Sequence, residues 1–321
     1  MIESYNNSIW LADGVRFDRY LRLAMARPCP SAAEVRSAHK SWCQAAADVV
    51  TVARQSVGKS DVPDSHAELT RINAVKGKIG VIPIYGPVDQ RTSGELEKSG
   101  GTPLDFVSMA FDTLMDNPAV GAIVLRIDSP GGSVYGTEEL SNRIFAARGR
   151  KPIYAIADSL AASAAYWIAS SADMIVATPG GDVGSVGVYV MHVDESAAME
   201  KEGVRVTLVS AGQHKTEFSP YSPLSATAKA EAQARVDGTY EKFLNALKRN
   251  RGTSIENVRE NYGKGRVLTA EKALAAGMID RVLSFEQLIG KLGGSASAAS
   301  RGPSADFLRA KAQHHMRGRK S

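Results

Sequence analysis

From Lys78 to about Leu292 the chain alternates short apolar runs of strand character with segments of helical periodicity. KIGVIPIYGPV reads as a strand followed by a turn, PLDFVSMAFDTLMDN as a helix and AIVLRID as a buried strand. TEELSNRIFAARGR is helical, KPIYAIAD a strand and LAASAAYWIASSA a helix, and MIVATP, VGVYVMHV and RVTLVSAG supply further strands. This rhythm predicts an α/β domain with largely parallel pairing, because parallel neighbours need a crossover long enough to hold a helix. Past Pro223 the pattern is helical to about Arg251. TAEKALAAG is a further helix ending at Gly277, which suits a C-cap, and IDRVLSFEQLIGKL closes the domain.

Outside this core the sequence changes character. Residues 1–70 read as a helical arm and linker: SAAEVRSAHKSWCQAAADVVTVARQ has apolar residues at mixed three and four spacing, with Ser31 and Glu34 set as a capping box, and SVGKSDVPDSHAE breaks the pattern. Residues 71–292 form the α/β domain, and 293–321 read as a disordered basic tail beginning GGSASAASRGPS. The net charge of +5 resides entirely in that tail, where six Lys/Arg stand against Asp306; the first 300 residues hold 33 basic and 33 acidic groups. Nucleic acid is therefore not an expected partner except through the tail, which is otherwise a solvated end or a tether to an acidic partner. An apolar content of 44% excludes wholesale disorder, and no apolar run is long enough to span a membrane. The opening MIESYNNSIW lacks the pattern of a secretion signal, and Cys29 and Cys43 form neither a metal motif nor a disulfide framework. A cytoplasmic location is the expectation, with no metal or cofactor.

Three places can carry chemistry. Asp128-Ser129-Pro130-Gly131-Gly132 follows the AIVLRID strand, and its glycines can turn N–H groups toward a developing oxyanion; the plainer reading is a tight turn without a ligand. Ser163, flanked by Ala161-Ala162 and Ala164-Ala165, falls in the first turn of a helix expected to start near Leu160 or Ala161, where helix polarity favours a developing negative charge. A serine among alanines is commonly only a small packing residue; Ser159, Ser170 and Ser171 compete with it, Ser159 best as a helix cap. Lys215, in Ser210-Ala211-Gly212-Gln213-His214-Lys215, becomes a general base only if burial or a nearby cation makes its amine neutral; most lysines after a strand are solvated.

Taken in order, AIVLRIDSPGG, ADSLAASAAYWIAS, VGSVGVYV and LVSAGQHKTEFSP resemble the signal peptide peptidase A (SppA) family of serine peptidases, and most of all its shorter phage-associated branch, the prohead or head maturation proteases. The resemblance runs from about Lys78 to Leu283, including the ALAAGMIDRV ending, and leaves the arm and tail outside it. It implies an α/β fold of the ClpP/crotonase-like type, a spiral of β-β-α units, assembled into homo-oligomers. It implies Ser163 as nucleophile, Lys215 as general base, Ser185 as the hydroxyl orienting the lysine, and an oxyanion hole of Gly131, Gly132 and Ala164, with the N–H groups of Gly132 and Ala164 as donors. A peptide-cleaving enzyme follows, with protein substrates and, on the phage branch, capsid and scaffold proteins.

Other readings compete. His192, 29 residues after Ser163, resembles the strand histidine of ClpP peptidases, which use Ser, His and Asp. His214, beside Lys215, is expected to point the other way along an extended segment. A crotonase-like enzyme acting on an acyl-coenzyme A would need carboxylates that these motifs lack. A bacterial SppA-like protease and a non-enzymatic capsid protein keeping the fold are the remaining alternatives.

Overall fold

The computed structural model of the chain describes the backbone of Ile9–Ala12 and residues 75–91, 96 and 100–293. The strands are β1 (Ile9–Ala12), β2 (Lys78–Tyr85), β3 (Val88–Asp89), β4 (Thr102–Pro103), β5 (Val120–Ser129), β6 (Gly131–Ser133), β7 (Ile153–Ala162), β8 (Met174–Ala177), β9 (Asp182–Gly184), β10 (Tyr189–Val190), β11 (Val267–Thr269) and β12 (Arg281–Val282). The helices are α1 (Leu104–Asp116), α2 (Thr137–Ala146), α3 (Ala164–Ser170), α4 (Ser196–Lys201), α5 (Ala226–Arg251), α6 (Ile255–Asn261), α7 (Ala270–Ala275) and α8 (Phe285–Lys291).

The larger sheet runs β11-β9-β7-β5-β2, with β8 beside the first half of β7 and β12 outside β8. Its pairings are parallel except β11 with β9, in line with the expected α/β architecture. Both faces are covered, which is why AIVLRID reads as an unbroken apolar run rather than an alternating one. Ile123, Leu125 and Ile127 face a core shared with Phe111, Leu140, Ile144, Trp167 and Phe243. Ala122 and Val124 face the opposite side, packed with Ile156, Val176, Phe285 and Leu288. The long helix α5 is capped by the Ser225 hydroxyl, which accepts from Ala228 N–H, and ends on Gly252 at φ 60°. The smaller sheet runs β10-β1-β6-β3-β4, so the Gly131-Gly132 pair is itself part of a strand.

The structure departs from the sequence expectation in specific places. Leu160–Ala162 extend β7 instead of opening α3, because they pair with Asp182–Gly184 of β9 and this pairing outweighs the helix preference of alanine. Ser163 is consequently the N-cap of α3 and not a residue of its first turn. RVTLVSAG forms no strand: Val204, Val206 and Leu208 are exposed and Val209 is 95% exposed. Its alternating pattern has no strand edge within the described residues against which to satisfy backbone groups. Of VGVYVMHV only Tyr189–Val190 is strand. Ile9–Ala12 is a strand in a region read as helical. The helix expected from Ser31 and the tail beyond Gly293 lie outside the described residues.

Candidate active site

The site begins with an irregularity in β7. Along β5 the register passes from Ile127 opposite Ala157 to Ser129 opposite Ala161, so two steps of β5 face four of β7. The extra residues form a bulge at which Ser159 takes φ 106°. Before the bulge β7 pairs with β8 on its other side; after it, β7 pairs with β9. The bulge thus redirects the end of β7 toward β9 and delivers Ser163 there.

Ser163 is fully buried and holds φ 54°, ψ −117°, a conformation that side chains disfavour by about 1–3 kcal/mol. Three contacts keep it there. Its N–H donates to Gly184 O at 2.6 Å, its carbonyl accepts from Trp167 N–H at 2.8 Å, and its hydroxyl reaches Gly187 O at 3.4 Å. The competing serines differ: Ser170 and Ser171 donate to carbonyls one turn back in their own helix, and Ser159 is an exposed bulge residue rather than a cap.

The Val183–Gly187 segment wraps this serine. A Cβ on Gly184, at φ 129°, would lie 2.7 Å from Arg266 O, so only glycine fits. Ser185 is buried at φ 53° with its N–H donating to Arg266 O at 2.8 Å. Ser185 therefore stands between the two residues whose carbonyls contact Ser163. On the other side, β6 packs against α3. Ser129 Oγ donates to Gly86 O at 2.6 Å and accepts from Gly131 N–H at 3.2 Å, which fixes the turn into β6. A Cβ on Gly132 would lie 2.0 Å from Val88 O, so β6 lies directly on β3.

Among the described residues no hydrogen bond joins Lys215 to this group. It sits in an exposed turn closed by its own N–H to Gly212 O at 3.2 Å. His214 pairs through Nδ1 with Glu217 in the same turn, not along an extended segment. His192 Nε2 lies 3.1 Å from Ser219 O, a carbonyl that only accepts, so this nitrogen carries the hydrogen and donates.

Sequence reasoning passed over the residues that anchor α3 from behind. The Arg148 guanidinium donates to the carbonyls of Ser170, Ser171 and Ala172, at 2.9, 2.9 and 2.6 Å, and to Asn250 O. It satisfies acceptors that the end of a helix leaves open. Tyr166, whose burial raises its hydroxyl well above the ordinary range, donates to Met278 O at 2.9 Å. Asp280 binds Arg251 and accepts from Ile175 N–H at 2.7 Å, tying the AAGMID ending to β8. A basic residue just past a helix was the only available signal for Arg148, and it is unspecific. Among the described residues no cluster of three or more His, Cys, Asp or Glu could hold a metal, and no helix is long and apolar enough to cross a membrane.

Comparison with known proteins bears on the same region. Residues 146–298 match the description "Peptidase family S49". The chain is 30% identical over 226 residues to the capsid assembly protease C of Escherichia phage lambda, covering 70% of this chain and 51% of that protein. It is 27% identical over 250 residues to the head-tail preconnector protein GP5 of Enterobacteria phage P21, covering 77% and 50%. It therefore spans about half the length of these curated relatives. A solved structure of a ClpP1 point mutant from Listeria monocytogenes superposes with a TM-score of 0.42 at 16% identity, covering 65% of this chain and 94% of that one.

Proposed function

The chain belongs to peptidase family S49 through residues 146–298, and on that premise we propose that it is a serine endopeptidase with Ser163 as nucleophile and Lys215 as general base. The observation that carries this reading is the strained, buried conformation of Ser163 at the β7–α3 junction, clasped by Gly184 and Gly187. A packing serine has no need of such a conformation, whereas a nucleophile gains from being fixed before the substrate arrives.

In the proposed reaction the neutral Lys215 amine takes the proton from Ser163 Oγ, which bonds to the scissile carbonyl carbon. The tetrahedral oxyanion accepts from the N–H groups of Gly132 and Ala164, and Gly131, its N–H donated to Ser129, shapes the turn. The ammonium then protonates the leaving nitrogen as the C–N bond breaks, and water hydrolyses the acyl-enzyme to restore the free hydroxyl. Ser185 orients the lysine. The amine must leave bulk water to act as a base, and the exposed stretch of Val204, Val206, Leu208 and Val209 leading to it is apolar. Packing of that stretch against a second copy of the chain supplies the dry surroundings, so the active form is a homo-oligomer. The fold is read as ClpP/crotonase-like, and the substrates as capsid and scaffold proteins of a phage head, following the lambda relative.

A fluorophosphonate probe tests the nucleophile: it should label the chain at Ser163, and Ser163→Ala should abolish both labelling and peptide cleavage. Labelling at another serine, or cleavage surviving in Ser163→Ala, refutes the assignment. Co-expression with phage capsid and scaffold proteins should yield discrete truncations by mass spectrometry, and intact partners would reject the proposed substrates.

A further inference from the structure

The smaller sheet contains a strand, β1, that stands between β6 and β10; β6 also pairs with β3, whereas β10 has β1 as its one strand partner among the described residues. β1 is antiparallel to both flanking strands, with Trp10, Leu11 and Ala12 opposite Ser133, Gly132 and Gly131, and Ile9 and Trp10 opposite Val190 and Tyr189. Take β1 away and β6 and β10 face each other across a gap one strand wide. Both walls of that gap adjoin the serine. β6 packs against α3, whose N-cap is Ser163, and β10 begins two residues after Gly187, which accepts from Ser163 Oγ. A slot with unpaired backbone groups on both sides takes an extended polypeptide by strand addition.

We infer that residues 9–12 occupy, in cis, the strand position of the polypeptide substrate, so that the chain blocks its own site until β1 leaves. This rests on the peptidase reading above. Three observations favour an occupant over a permanent sheet member. The first is length: β1 is four residues long and meets its neighbours at five paired positions, a ladder short enough to be exchanged for another strand. The second is direction: β1 runs from Ser133 toward Gly131, so its Leu11–Ala12 peptide lies beside the Gly131-Gly132 pair whose second member is the proposed oxyanion donor. The third is burial: Ser163 has no exposed surface, so no incoming carbonyl reaches its hydroxyl until something moves aside.

The test uses the full chain. Leu11→Pro removes one backbone N–H from β1 and restricts its φ, whereas Leu11→Val keeps both the N–H and the strand preference. Hydrogen exchange is read at the amides of Gly131–Ser133 and Tyr189–Val190, with those of β5 reporting that the fold is intact. Hydrolysis of a reporter peptide is read in parallel. Leu11→Pro should speed exchange at the two walls by about tenfold or more, and raise the initial rate of hydrolysis severalfold, with β5 unchanged and Leu11→Val like the parent. Unchanged exchange overturns the proposal, as does faster exchange accompanied by slower hydrolysis, which would make β1 part of the working site. Faster exchange with no hydrolysis or probe labelling in either chain upholds the occupant and refutes the peptidase reading instead.

Discussion

Gly132→Ala probes the link between backbone packing and the proposed chemistry. The added methyl would sit 2.0 Å from Val88 O, 2.6 Å from Val88 N and 2.8 Å from Val88 C, all backbone atoms of β3. Gly132 does not adopt positive φ, so the penalty is steric and not conformational. Reaching even a tight contact of about 3 Å requires β6 to move off β3 by about 1 Å, since neither strand has a flexible side-chain tip to yield. A donor displaced by that distance loses alignment with the oxyanion, and such misplacement costs about 100-fold in rate, or about 2.7 kcal/mol of transition-state stabilisation. Overpacking should cost a further 1–3 kcal/mol or so in folding stability. Reporter hydrolysis should show kcat falling about 100-fold with KM little changed, because the donor acts mainly in the transition state. Gly80→Ala is the control: its methyl would meet Leu114 Cδ1 at 2.7 Å, the movable end of a side chain remote from the site, so activity should survive. A Gly132→Ala variant with parental kcat/KM and an unaltered melting temperature would refute both the packing argument and the donor role.

Further predictions concern the base, the anchor behind α3 and one half-buried carboxyl. Lys215→Ala and Lys215→Arg should both reduce reporter hydrolysis to near background, the latter because a guanidinium keeps its proton at usable pH, whereas His192→Ala should stay near the parental rate; the opposite pattern would make histidine the base. Arg148→Met removes the donor to the carbonyls of Ser170, Ser171 and Ala172, and should cost about 3 kcal/mol, read as a melting temperature lower by about 6–12 °C. Burial pushes the Asp89 carboxyl above its usual range, against Gln90 N–H and the Ser133 hydroxyl, which pull it back. A raised carboxyl binds its proton more tightly in the folded state, so its stabilising contribution is present below the unfolded value and disappears as pH rises through the folded one. Asp89→Asn should therefore raise the melting temperature at pH 7 relative to its effect at pH 3; an equal shift at both would refute the account.

Local sequence carried the main architecture because the features that specify it are local. The apolar runs of β2, β5, β7 and β8 and the periodicity of α1, α2 and α5 follow from side chains a few residues apart, and Gly252 and Gly277 mark helix ends through their own backbone freedom. The serine, its alanine neighbours and the paired glycines were likewise legible as an ordered set of motifs. What sequence could not settle was any choice made by distant partners. Leu160–Ala162 are good helix formers that became strand because β9 offered a ladder, and Ser163 thereby moved from a helical turn to a strained cap. RVTLVSAG is a good strand former that stayed unpaired because strands need a neighbour. Ile9–Ala12 became a strand because its backbone pairs with β6 on one side and with Tyr189–Val190 on the other. Propensity acts along the chain over a few residues, whereas pairing is decided by which edges the fold leaves open, and only the tertiary structure contains that information.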